Sequence, residues 1–156
     1  QDLTFNAKGI DKVEFIIATN PGTPLRPLAK IASGGELSRI MLAIKTALNF
    51  DVSHGSMVFD EVDAGISGRV AETVGEKLLN LGQSRQIICI THSPQIAANA
   101  SEHFKVEKIV EDDMSSTLIH KLDPARRIDE IAQFLGGNEI TDKIRSVAAE
   151  MLTAKN

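Results

Sequence analysis

One cysteine, Cys89, is all the chain contains. An internal disulfide is therefore excluded, and a single thiol inside an apolar run reads as an inert core residue of a reducing compartment. No apolar run approaches the roughly 18 residues of a membrane-spanning helix, and no signal peptide opens the chain. Basic charge is also short. The formal net charge is −4, which excludes a domain-wide electrostatic surface for nucleic acid. Any DNA contact must use a local patch or another part of the protein. His54, His103 and His120 are scattered without metal-ligand spacing, and there is no internal repeat. The phosphate-binding pattern Gly-x-x-x-x-Gly-Lys-Ser/Thr is absent throughout. The chain starts on Gln1 without an initiator Met, and so reads as a piece of something longer. Its 156 residues suit one domain with a real core.

What is present is organised around Met57-Val-Phe-Asp-Glu-Val-Asp63. Ser56 to Phe59 is a short apolar run of the kind that a buried parallel strand uses. Asp60 and Glu61 follow at once, where such a strand leaves its sheet and where open α/β sheets bind ligands. Gly65 and Gly68 then let the backbone turn into a helix over about residues 67–82. One acid at that edge can hold Mg²⁺ through oxygen and water. The next can orient a water for attack on a phosphate. An isolated Asp-Glu pair reads more simply as solvated loop acids, and two companion stretches tip the balance.

The first companion is Ser33-Gly-Gly-Glu-Leu-Ser38. Ser33 caps a helix and Glu36 sits three residues on, as in a capping box. Leu37, Ile40, Met41, Ile44 and Leu48 then form one apolar face. A capped helix with glycines in its approach explains this stretch. A helix N-terminus whose glycines admit a phosphate explains it equally. The second companion is Gln86 to Thr91, a second buried strand ending in His92, after which Pro94 opens a short helix to about residue 100. A right-handed β-α-β unit turns both strand ends to one side. His92 is thereby predicted beside Asp60 and Glu61, able to hydrogen-bond a phosphate or the attacking water.

The flanks read as scaffold. Residues 2–6 and 12–19 alternate as strands around a turn at 7–11. Asn20 to Pro27 reads as a loop because of its three prolines. Phe104 to Val110 and Ser116 to Leu122 form a hairpin around a solvated acidic turn. Pro124 opens a helix ended by Gly136-Gly137, and a last helix carries Ile144, Val147, Ala148, Met151 and Leu152. Arg126 and Arg127 read as ordinary first-turn surface charges.

Three motifs in order and register resemble the carboxyl-terminal half of an ABC-type ATPase head. Ser33 to Ser38 is similar to the ABC signature, Ser56 to Glu61 to a Walker B strand with its catalytic Glu, Val62 to Ser67 to a D-loop, and Thr91-His92 to the switch histidine. Within that class the chain resembles the RecN family of bacterial SMC-like double-strand-break repair proteins. The carriers are Ala29 to Lys45, Phe59 to Gly68, Ile90 to Ala97, and the tail from Asp129. One departure from the wider class is Ser67, which stands where the usual D-loop has Asp.

The resemblance implies an α/β fold: the carboxyl-terminal lobe of a P-loop head over residues 1–156, mostly parallel sheet flanked by helices, with an N-terminal β-hairpin and a C-terminal hairpin plus helices. The lobe with Walker A, and a coiled-coil arm, belong upstream. Function is implied as ATP hydrolysis between two heads in DNA repair and recombination. Glu61 polarises the water, His92 contacts the γ-phosphate and Asp60 holds Mg²⁺. Ser33, Gly34, Gly35 and Glu36 reach ATP on the opposite head, and Asp63 with Ser67 couples the two sites. The implied partners are a second head in an ATP-dependent homodimer, the upstream lobe and arm, and DNA through the whole assembly. The implied place is the bacterial cytoplasm, at the nucleoid. The lone chain is expected to be inactive. The nucleotide-binding domain of another SMC-like protein or of a transporter, and a non-catalytic interaction module, stand as the alternatives.

Overall fold

The computed structural model of the chain describes residues 7, 9–11, 13–18, 21–30, 33–48, 55–111 and 114–154. The expected strand at 2–6, His54 and the tip of the acidic turn at 112–113 lie outside these residues. In order the elements are β1 (Ile16–Ile17), β2 (Arg26–Pro27), a single 3-10 turn (Leu28–Lys30), α1 (Gly34–Ala47), β3 (Ser56–Phe59), α2 (Gly68–Gly82), β4 (Gln86–Cys89), α3 (Pro94–Ala97), β5 (Phe104–Glu111), β6 (Met114–Lys121), α4 (Pro124–Gly136) and α5 (Asp142–Thr153).

Among the described residues the strands form three pairs. β1–β2 and β5–β6 are antiparallel, and β3–β4 is parallel with Ser56 opposite Gln86 and Phe59 opposite Cys89. The parallel part of the sheet is thus one β-α-β unit, with α2 as its crossover. β2 corrects one expectation. Pro27, read as loop, pairs with Ile16. A proline has no donor to give a ladder, but an edge strand of two residues does not need one there. The adjacent Leu28 N–H supplies the bond, donating to Phe15 O at 2.8 Å.

Two small cores meet on α3. Leu42 of α1, Phe59 of β3, Val62, and Ala71, Val74, Leu78 and Leu81 of α2 pack with Ile96. Ala97 and Ala98 pack with Ile131 and Ala132 of α4 and Ala148 of α5. Both strands of the parallel pair were expected to be buried, and each is buried on one face only. Met57, Phe59, Ile87 and Cys89 face the first core, whereas Val58, Ile88 and Ile90 are 63%, 46% and 56% exposed. The stripe expected on α1 behaves likewise. Leu37, Met41 and Leu48 are exposed, and the helix buries Leu42 instead. Among the described residues no helix is long and apolar enough to cross a membrane.

Arg127 overturns its reading as a surface charge. Its guanidinium donates to Ala97 O and Ala98 O (3.4 and 3.3 Å), to Ser101 O (3.4 Å) and to Ala100 O. It collects carbonyls at and just beyond the end of α3 and pins α4 to them. Arg127→Ala strands several of these acceptors, and a bond from a charged donor is worth about 2 kcal/mol. We expect the thermal midpoint of the protein to fall by about 5 °C. Arg126→Ala, which loses only an exposed pairing with Asp123, should leave the midpoint nearly unchanged.

Candidate active site

The parallel pairing makes one edge from two stretches of chain. Ile90 N–H donates to Phe59 O at 2.9 Å and extends the β3–β4 ladder by one bond. Beyond it Asp60-Glu61 and Thr91-His92 emerge at the same end, as the sequence predicts. Glu61 carries the only positive φ of a non-glycine residue among those described, 54°. That conformation disfavours an L-residue by about 1 kcal/mol and tends to persist where function needs it. Ala64 N–H donates back to Glu61 O (2.9 Å) and closes the turn.

The N-terminus of α1 is built against this turn. Ser33 Oγ accepts the Glu36 N–H at 3.2 Å, the expected cap, and Gly34 and Gly35 form the first helical turn. A Cβ on Gly35 would lie 2.6 Å from Ala64 Cβ and 2.7 Å from Glu61 O, and one on Gly34 would lie 3.0 Å from Glu61 Oε2. The sequence reading reserved this space for a phosphate. Over Gly35 it is already filled by the chain's own turn. Two side chains that the sequence reading missed secure the junction. Ser38 Oγ donates to Asp60 O (2.7 Å). Arg39 Nη1 donates to Val62 O (3.2 Å) and Ala64 O (2.7 Å). Their only signal in the sequence is spacing, since Arg39 lies one helical turn after Gly35 on the same face.

Asp63 and Ser67 part company. Ser67 is exposed at the N-terminus of α2, and its side chain makes no capping bond. Asp63 is 4% exposed and turns inward. Its Oδ2 accepts from the Thr91 hydroxyl (2.5 Å), the His92 N–H (3.0 Å) and the Ser93 N–H (3.1 Å). His92 Nδ1 lies 3.2 Å from the same oxygen, while the imidazole side chain is 85% exposed. Burial alone would raise the Asp63 pKa, but the Thr91 hydroxyl and the His92 N–H outweigh it and hold the carboxyl below its usual range.

Cys89 sits just behind this edge. Burial, and then the charges of Asp63 and Asp60, push its thiol up to about 12. The thiolate is the reactive form, so we expect the folded protein to react with a disulfide reagent at mildly alkaline pH at least about 100-fold more slowly than the unfolded chain. A rate within a few-fold of the unfolded chain would contradict the burial of Cys89.

No group of three or more His, Cys, Asp or Glu side chains gathers among the described residues. Mg²⁺ in nucleotide sites takes one or two carboxylates and fills its shell with water and phosphate oxygens. Asp60, exposed at the strand end, fits that limited part. The edge therefore offers two exposed carboxylates, an outward imidazole and a helix N-terminus whose hydroxyl and first glycine stay at the surface. These are parts for positioning a phosphate and a water.

No family model matches the chain. It is 50% identical over 145 residues to the DNA repair protein RecN of Xylella fastidiosa strain 9a5c, covering 92% of this chain and 26% of that protein. It is 47% identical over 146 residues to RecN of Vibrio cholerae (94% and 26% covered) and 43% identical over 152 residues to RecN of Bacillus subtilis strain 168 (97% and 26%). The chain thus spans about a quarter of the length of these relatives. A solved chain from structural work on the ATP-driven dimerization and DNA-stimulated activation of SMC ATPases superposes with a TM-score of 0.50 at 20% identity, covering 80% of this chain and 81% of that one. At that identity the likeness is one of fold, a mixed α/β lobe.

Proposed function

We propose that this chain, matched along nearly its whole length by RecN proteins, is the carboxyl-terminal lobe of a RecN-type ATPase head acting in DNA double-strand-break repair. The observation that carries the reading is the shared edge. The parallel register of β3 and β4 brings Asp60, Glu61 and His92 to one strand end, and α1 presents Gly34, next to its cap Ser33, beside Glu61.

In this reading Glu61 accepts a hydrogen bond from the attacking water and aligns it with the γ-phosphate. His92 contacts that phosphate from the neighbouring strand end. Asp60 holds Mg²⁺ through water, and Mg²⁺, when bound, supplies the charge that steadies the phosphate oxygens. Ser33, Gly34, Glu36 and the dipole of α1 face the nucleotide of a second head, with Ser33 capping that helix. Ser67, exposed at the start of α2, contributes to the loop between the two sites. Two heads close on ATP as a homodimer and part after hydrolysis. DNA is engaged through the whole assembly in the bacterial cytoplasm.

The exposed apolar faces support a missing half. A parallel sheet is normally covered on both faces, yet Val58, Ile88 and Ile90 lie open, as do Leu37 and Met41 on α1. The RecN relatives are more than three times as long as this chain, and we assign the cover to the upstream lobe with its Walker A loop. The test is turnover by parts. The isolated chain, lacking a Walker A lysine, is expected to bind ATP too weakly to detect at micromolar concentration. The same chain joined to the upstream lobe is expected to hydrolyse ATP. Tight ATP binding by the chain alone, or no turnover by the joined head, would reject the reading.

A further inference from the structure

Asp63 lies in a loop expected to face a second head, but its carboxylate is spent within its own chain. We propose that Asp63 is the positioning residue of His92, fixing which ring nitrogen the imidazole turns outward. The inference rests on the role given to His92 above, and it reassigns Asp63 from coupling two heads to holding the switch histidine of its own.

The geometry carries it. One oxygen, Asp63 Oδ2, accepts from the Thr91 hydroxyl and from two successive backbone N–H groups, those of His92 and Ser93. The Ser93 N–H also reaches Thr91 Oγ1 at 3.0 Å. The turn that leaves β4 is thus wrapped around a single acceptor. The His92 ring meets the same oxygen with Nδ1 at 3.2 Å. A carboxylate only accepts, so this contact is favourable only when Nδ1 carries the proton. In the neutral ring Nε2 then holds the lone pair, and in the charged ring Nε2–H is the outward donor. Either way Nε2 is the free atom, and the 85% exposure of the side chain leaves it open to a ligand. An imidazole oriented by a carboxylate at its other nitrogen is a recurrent way to fix tautomer and ring plane. The near-complete burial of Asp63 and its three hydrogen bonds from the strand end fix the carboxylate that the ring meets.

The experiment uses the full protein containing the upstream lobe. Ring-nitrogen resonances of histidine-labelled protein are recorded at a pH where the ring is neutral, with His92 assigned by its loss in His92→Gln. Wild type should show His92 protonated at Nδ1, and Asp63→Asn should move the population toward Nε2–H. ATP turnover is then measured in a double-mutant cycle. His92→Ala is expected to lower it by about 100-fold and Asp63→Asn by about 10-fold. Asp63→Asn/His92→Ala should turn over like His92→Ala alone, because Asp63 acts through the ring.

Wild-type His92 protonated at Nε2, or a tautomer indifferent to Asp63→Asn, overturns the proposal whatever the turnover shows. Effects that multiply in the double mutant also overturn it and return Asp63 to coupling between heads. Turnover indifferent to His92→Ala instead removes the role given to His92, and it does so independently of the spectrum. The wild-type spectrum alone decides the orientation should Asp63→Asn fail to fold.

Discussion

Glu61→Gln in the joined head should cut ATP turnover by about 10³-fold, within the range that a positioned base contributes, while an ATP-stabilised dimer persists. The substitution isolates charge from shape. Glu61 holds φ at 54°, and glutamine is no more strained there than glutamate. The Ala64 N–H to Glu61 O bond that closes the turn belongs to the backbone and survives the change. What disappears is the carboxylate proposed to accept from the water. Turnover and nucleotide-dependent dimerisation are therefore expected to separate. Light scattering or gel filtration with ATP would show the dimer, and phosphate release would show the loss. Turnover unchanged by Glu61→Gln would reduce the motif to a relic of fold and favour a non-catalytic interaction module.

Such a test can be designed because much of the site was legible before the fold. Asp60-Glu61 and His92 could be placed at one edge because a right-handed crossover dictates it once two apolar runs are taken as parallel strands. The cap on α1 was legible because Ser33 and Glu36 stand at capping distance, and the Glu36 N–H does meet Ser33 Oγ. The family resemblance extended this to roles. Burial was less legible. A run of four apolar residues does not say whether one face or both are covered, so Val58 and Ile88 read as core although they are open. On α1 the apolar residues mark two surfaces, and the period alone selected the exposed one over Leu42. The burial of Asp63 and the inward turn of Arg127 were illegible for a common reason. Each residue binds groups about 30 residues away in sequence, and nothing local distinguishes an inward charge from a solvated one. Pro27 fell to a rule about ladders that does not bind a two-residue edge.

The two glycines at the start of α1 should not be equivalent, although they are adjacent in one motif. Gly35 is buried, and a methyl group there meets Ala64 Cβ at 2.6 Å and the Glu61 carbonyl at 2.7 Å. Neither neighbour can yield without moving the turn, because Arg39 and Ser38 clamp the Asp60, Val62 and Ala64 carbonyls to the same helix. Overpacking of this kind costs about 1–3 kcal/mol, and any relief displaces Glu61. Gly35→Ala is therefore expected to lower turnover by about 100-fold, since a misplacement near 1 Å has that effect, and to lower the thermal midpoint by several degrees. Gly34 is exposed, and a methyl there meets only Glu61 Oε2, at 3.0 Å. That atom ends a flexible side chain and can swing aside. Gly34→Ala should keep the thermal midpoint of wild type, with any fall in turnover appearing chiefly as weaker nucleotide-dependent dimerisation if, as proposed, its free face meets the second head. Equal losses from the two substitutions, with unchanged stability in both, would mean that the glycines serve only an incoming phosphate. A stability loss confined to Gly35→Ala would identify it as the contact through which α1 holds the catalytic turn of its own chain.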